Sequence, residues 1–257
     1  MQARKLVACF DIIGDRVTKA LQFQDNIDVA PAEAMAIVMC EAKIDEIIFF
    51  DVTASAEKRP IDIETVRKVA AKITVPLAVG GGIRNIDDMH DVINAGAAKI
   101  SVDSMAVRNP DIIREGAKAF GSGAMILSTQ VRRGCNTPSG YEVFIDGART
   151  ATGMDAIEWI KKGEALGAGE ICLNSIDQDG TLAGYDIPLM KMAEEAVCIP
   201  LIASGGAGAP EHLLDVFTQT RTEAAIISSM LYSPRMPRNY SVKELKDYLT
   251  ESGVLVQ

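Results

Sequence analysis

The chain has 257 residues, 48% hydrophobic and 24% charged, enough to bury one large α/β core and too apolar for disorder. Its formal net charge of −9, with no Lys/Arg-rich block, argues against a nucleic-acid surface. No apolar run reaches the roughly 18 residues of a membrane span, and the start "MQARKLVACFD" lacks a signal-peptide pattern, which predicts a cytoplasmic protein that does not meet the membrane.

From the N-terminus, short β-branched runs alternate with amphipathic stretches of helical length: "LVACF", "EIIFFD", "PLAVGGG", "KISVDS", "AMILSTQ", "EICLNS", "PLIASGG" and "AAIISS". Such near-continuous apolar strands are buried on both faces, as in a parallel sheet with helices between its strands. The stretch Pro76 to Met105 repeats as Pro200 to Met230, each with Pro, a Gly-Gly pair, a helix and a strand ending in Ser-Met. "FFDVTAS" likewise parallels "CLNSIDQDG". Two half-barrels of this kind predict one closed (β/α)8 TIM barrel over 1–257. No G-x-G-x-x-G opens the first helix, which disfavours a Rossmann sheet. After the fifth strand run, turn signals at Pro138-Ser139-Gly140 and Asp146-Gly147 flank the alternating "YEVFI" and predict a small hairpin over about 132–150. Trp159 follows in a helix, where packing is its expected role. The five cysteines are scattered with no C-x-x-C spacing, so most are expected to be buried small hydrophobes. His90 and His212, one in each repeat, are expected at the surface, and neither a metal nor another cofactor is expected.

In both repeats a Gly-rich turn is followed, one β/α unit later, by a strand ending in serine. Glycines let the backbone approach an anion, and amides opening a short helix point N–H groups at it. Gly81, Gly82 and Ser104, with Asp103, form one candidate phosphate site; Gly205, Gly206, Ser228 and Ser229, with Asp179 and Gly180, form the other. Two such sites across one rim fit a long substrate phosphorylated at both ends. Asp103 disturbs the first. A carboxylate about 4 Å from a phosphate costs on the order of 4 kcal/mol at an effective dielectric of 20, more than the roughly 0.3 to 2 kcal/mol a helix terminus returns. Either its side chain turns away, or the first site no longer takes a dianion.

With these features in place, "ACFD", "DEIIFFDVTAS", "VGGGIR", "GAGEICLNSIDQDGTLAGYD" and "IASGGAG" resemble the cyclase subunit of imidazole glycerol phosphate synthase, from about Lys5 to Gly253. The resemblance implies that ammonia from a glutaminase partner, as in a heterodimer, attacks the ribulosyl carbonyl of a formimino-aminoimidazole-carboxamide ribonucleotide. The adduct is then cyclised and cleaved to imidazole glycerol phosphate and aminoimidazole carboxamide ribonucleotide. It also implies catalytic aspartates ending the first and fifth strands. Asp11 matches the first, but Gln130 stands where the second belongs. Gln has no proton to exchange, and a general acid or base contributes roughly 10² to 10⁴ in rate, so the family reaction is expected to be slow or altered unless another acid compensates. Asp177 is the first candidate substitute, ahead of Asp51 and Asp103. Lys19, in the loop after the first strand, matches the family's catalytic-loop lysine, although Ala20 replaces the usual following glycine and Asn174 a usual threonine.

Lys5, Glu46, Lys99 and Glu170 each precede an apolar strand run and would ring the barrel bottom. By resemblance this ring is the gate that admits ammonia, with Lys5 in place of the more usual arginine and Ala98 at a frequent interface aspartate. Two other readings stay open: a glutaminase-coupled paralogue acting on another phosphorylated or nucleotide-linked sugar, and a non-catalytic phosphosugar-binding partner of a glutaminase.

Overall fold

The computed structural model describes residues 3–21, 24–57, 59–134, 136–234 and 236–257, and in it eight parallel strands close into a barrel. They are β1 (Lys5–Ile13), β2 (Glu46–Asp51), β3 (Leu77–Gly80), β4 (Lys99–Val102), β5 (Met125–Arg133), β6 (Glu170–Ser175), β7 (Leu201–Ser204) and β8 (Ala224–Ile226). Each pairs in parallel with the next, and β8 pairs with β1 to close the circle. The chain is thus the (β/α)8 TIM barrel that its apolar runs predict. The halves match element for element: β3 and β7 lead to helices Ile86–Asn94 and Pro210–Gln219, and β4 and β8 to the short helices Ser104–Arg108 and Ser228–Tyr232. Side-chain caps start several of the helices. Asn85 accepts from the Asp88 N–H, Asp155 caps Ala156–Leu166, and Ser241 and Glu244 form a capping box.

Strand alternation divides the apolar residues into two layers. Leu6, Ile47, Val79, Ile100, Leu127 and Ile171 face outward into the main core beneath the helices, where each such side chain contributes about 1.5–3 kcal/mol. Val7, Ile48, Ala78, Ile126, Cys172 and Ile202 fill the lumen. Trp159 lies in the outer layer, 2% exposed, as its helical position suggests.

Two antiparallel additions stand on the rim where the strands end. Gly14, at φ +60°, opens a two-residue turn that folds Arg16–Leu21 back on β1, and Gln24–Pro31 pairs with that strand in turn. Lys19 therefore lies on a strand rather than in the expected loop, because β1 runs past the rim to Ile13 and its overhang templates a ribbon. The second addition follows β5: Tyr141–Ile145 pairs with the end of β5, Gln130 opposite Phe144, and Thr150–Asp155 completes the hairpin.

Of the cysteines, Cys9 and Cys172 are buried, but Cys198 is exposed and Cys40 partly so, because these two lie outside the barrel strands; Cys135 is outside the described residues. His90 is exposed and His212 half-buried, its Nδ1 accepting from the Gly208 N–H. Among the described residues no helix is long and apolar enough to cross a membrane.

Candidate active site

The inward phase of the strands carries one set of residues from the floor to the mouth. On β1 it runs Lys5, Val7, Cys9, Asp11; through β4 Lys99, Ser101, Asp103; on β5 Ile126, Ser128, Gln130; on β6 Glu170, Cys172, Asn174. Asp11, Lys19, Asp103, Gln130, Asn174 and Ser204 consequently line one cavity at the strands' C-terminal ends, where this fold places its chemistry.

On the β1 side the Lys19 ammonium lies 3.5 Å from an Asp11 carboxylate oxygen, with both side chains mostly shielded. Burial alone would lower the lysine's pKa, but Asp11, with Tyr232, Asp179 and Cys9, overrides it and pushes it well above its ordinary value. Lys19 is thus a fixed cation beside Asp11. Asp179 lines the same cavity, and burial raises its pKa against the pull of Lys19.

The opposite side is built on neutral side chains. Asn174 pairs in register with Gln130 on β5 and with Ser204 on β7, so the three inward side chains stand in a row. They bond in series: Ser204 Oγ donates to Asn174 Oδ1 at 2.8 Å, and Asn174 Nδ2 donates to Gln130 Oε1 at 2.7 Å. Gln130 Nε2 then reaches an Asp103 carboxylate oxygen at 3.5 Å, the long end of hydrogen bonding. The other Asp103 oxygen is buried and has no partner among the described residues. Burial drives the Asp103 pKa up to about 7; Asp146 adds to the rise, while the Gln130 amide and Arg108 oppose it.

The candidate anion turns lie around this cavity. Gly81, Gly82, Gly205 and Gly206 all have positive φ. A Cβ on Gly81 would strike the Asp51 backbone and one on Gly206 the Gly184 carbonyl, so backbone packing alone already demands glycine. Asp103, the residue before helix Ser104–Arg108, makes no side-chain cap and reaches instead toward Gln130. The Asp146 N–H donates to Ser104 Oγ at 2.9 Å, and Arg108 pairs with the Asp146 carboxylate at 2.6 Å, so the hairpin tip is pinned over this half of the mouth. In the other half the Ser228 hydroxyl accepts from the Cys9 N–H and donates to the Cys9 carbonyl. Both its roles are spent on β1, which leaves the backbone N–H as its means of meeting an anion. Ser229 lines the cavity beside it, while Asp179 and Gly180 sit in the loop after β6.

Asp51 and Asp177 hold loops together. Asp51 accepts from the N–H groups of Thr53 and Ala54 and pairs with Arg59 at 2.7 Å. Asp177 accepts the Arg133 N–H at 2.7 Å, and it is not among the described residues lining the cavity. Its strand has ended by Ser175, so the inward phase no longer directs it.

At the floor Lys99 Nζ donates to both carboxylate oxygens of Glu46 and of Glu170, at 2.8–3.0 Å, and Lys5 lies 3.9 Å from Glu46. Burial raises the pKa of Glu46, restrained by Lys99; burial would lower that of Lys99, but the two glutamates raise it.

Sequence reasoning overlooked Ser204 and Arg149, both of which line the cavity. Ser204 was within reach, since it lies two residues past the inward Ile202 on an apolar strand. Arg149 carries no comparable signal, because only the folded hairpin brings it to the mouth.

The family model described as histidine biosynthesis protein matches residues 5–237. Full-length relatives include imidazole glycerol phosphate synthase subunit HisF of Desulfosudis oleivorans, 48% identical, and of Syntrophobacter fumaroxidans, 46% identical, each alignment covering 100% of this chain and 99% of the relative. That of Nitratidesulfovibrio vulgaris is 46% identical over 98% of this chain and 97% of its own. Together with the barrel and its mouth, these matches show that the chain belongs to the HisF family of imidazole glycerol phosphate synthase subunits.

Proposed function

We propose that the chain is an ammonia-dependent cyclase and lyase. It converts the phosphoribulosyl-formimino-aminoimidazole-carboxamide ribonucleotide to imidazole glycerol phosphate and aminoimidazole carboxamide ribonucleotide. The observation that carries this reading is the mouth cavity that gathers Asp11 and the Asp103–Gln130 pair from the inward phase of the strands, with Lys19 reaching Asp11 from the ribbon. Imine formation, ring closure and elimination all move protons, and a carboxylate held beside a cation is suited to take them. Lys19 balances negative charge as it develops. The two phosphates lie at the glycine turns, one near Gly82 and Ser104 and one near Gly206, Ser228 and Ser229, held chiefly by backbone N–H groups.

Ammonia reaches the mouth from a glutaminase subunit docked at the floor. It passes the ring of Lys5, Glu46, Lys99 and Glu170, where Lys5 is the looser member, with 29% of its side chain exposed. Above that ring the lumen is lined by Val7, Ile48, Ala78 and Ile126, which favour a neutral molecule over an ion.

The test supplies the nucleotide substrate and an ammonium salt at alkaline pH, and follows loss of substrate absorbance with wild type and Asp11→Asn. Turnover by the wild type, reduced on the order of 10² to 10⁴ in the variant, is the expected result. A wild type that neither binds nor turns over this substrate overturns the reading.

A further inference from the structure

The geometry points to Asp103 as the second proton-transfer group of this site, with Gln130 as its positioning residue. This assignment rests on the cyclase reading above. Three observations meet at Asp103. It continues the inward phase of β4 into the cavity that holds Asp11. One carboxylate oxygen is buried in that cavity without a partner among the described residues, so its hydrogen bonding is left for a bound ligand or water to complete. The other faces the amide at the end of the Ser204–Asn174–Gln130 row.

An amide at position 130 suits this role better than a carboxylate would. The Gln130 N–H₂ donates to an ionised Asp103; if the Asn174 amide turns over with it and Ser204 Oγ accepts in place of donating, Gln130 Oε1 accepts from a protonated one, so the row accommodates both states. Asn174 and Ser204 fix where that amide sits. Two carboxylates in this contact could not both ionise. The affinity of Asp103 for a proton near neutrality, set by burial and Asp146 against Gln130 and Arg108, agrees with a group that both gives and takes one. Cys172, buried nearby and with its own pKa pushed up to about 12, stays a neutral thiol alongside it.

The step balances. When ammonia's nitrogen replaces the carbonyl oxygen, the carboxyl of Asp103 gives its proton to the hydroxyl that departs as water. The nitrogen lone pair closes the C=N bond, and the carboxylate recovers a proton from that nitrogen.

Four variants of the full chain test the assignment in the ammonium-driven reaction: Asp103→Asn, Gln130→Asp, the double exchange, and Gln130→Leu. The expected results are these. Asp103→Asn lowers kcat about 10² to 10⁴, with KM within a few fold, and removes the limb near pH 7 from the kcat profile. Gln130→Asp alone brings no gain, since two carboxylates then share one proton. The double exchange moves the acid across the pair and recovers at least about tenfold over Asp103→Asn, the non-additivity that a double-mutant cycle reads. Gln130→Leu removes a hydrogen bond that favours the ionised form, so the limb persists but shifts to higher pH. An active wild type matched by Asp103→Asn, a limb that survives in Asp103→Asn, or a rise of about 10² from Gln130→Asp alone overturns the assignment and leaves the cyclase reading standing. An inactive wild type overturns both.

Discussion

The floor and the mouth of the barrel are built from the same inward rows, yet they treat charge in opposite ways. Lys99 and Asp103 belong to one row, Glu170 and Asn174 to another. At the floor Lys99 meets both oxygens of two glutamates, and Glu46 is only 2% exposed. At the mouth Asp103 faces a neutral amide at 3.5 Å, and its other oxygen has no partner among the described residues. The backbone is common to both, so the difference lies in residue choice. A satisfied buried cluster costs heavily to break, whereas an unsatisfied one spends stability on readiness for a ligand.

The largest expected effect lies at the floor. Lys99→Met strands two carboxylates, one of them almost fully buried, and should cost about 3–5 kcal/mol in urea denaturation. Glu46, whose pKa burial already raises, would lose the cation that restrains it. A loss below about 1 kcal/mol, as for an exposed ion pair, would mean that water reaches the floor and would break the contrast.

The mouth should respond with the opposite sign. An unfolded aspartate titrates near 3.9, but burial pushes the Asp103 pKa in the folded chain up to about 7. Between these values the folded state holds a proton that the unfolded state has released, so its stabilising contribution, complete below about pH 4, is lost as pH rises toward 7. Asp103→Asn lacks this loss. It should therefore match wild type near pH 4 and exceed its stability by about 2–4 kcal/mol at pH 8. Urea midpoints over that range check it, and a variant no more stable at pH 8 would show that the folded state tolerates the charge freely.

The barrel was legible because its strands are apolar runs bounded by Gly and Pro, and the repeat from Pro76 and Pro200 fixed its halves. The floor was legible too, since each of its four charges stands at a strand start in the inward phase. The ribbon bearing Lys19 was not: it lies outside the barrel and has no apolar run to announce it. At the mouth, Asp103 and Asp177 look alike in sequence, as acids just past a strand. They differ because Asp103 keeps the phase of Ser101, whereas Asp177 lies beyond the end of β6 and spends its carboxylate on the Arg133 backbone. The bond from Gln130 to Asp103 crosses between strands, and a cross-strand contact depends on register that no single segment carries.

Lys5 offers the smallest and most discriminating effect, because it shares Glu46 with Lys99 but not its burial. Its ammonium lies 3.9 Å from the glutamate against 2.8 Å for Lys99, and 29% of its side chain is exposed against 13%. At that distance and exposure the attraction is screened by water and ions, and such pairs contribute about 0.2–1 kcal/mol. Lys5→Ser should therefore cost less than about 1 kcal/mol at low salt, and the loss should fade as ionic strength rises to about 1 M, where the Debye length is only about 3 Å. The Lys99→Met loss should persist in the same salt series, because its partners are shielded from mobile ions. If both losses fade together, the floor is an exposed ring of charges. If neither fades, Lys5 is as much a part of the closed cluster as Lys99, and it cannot be the member that yields when a small molecule passes.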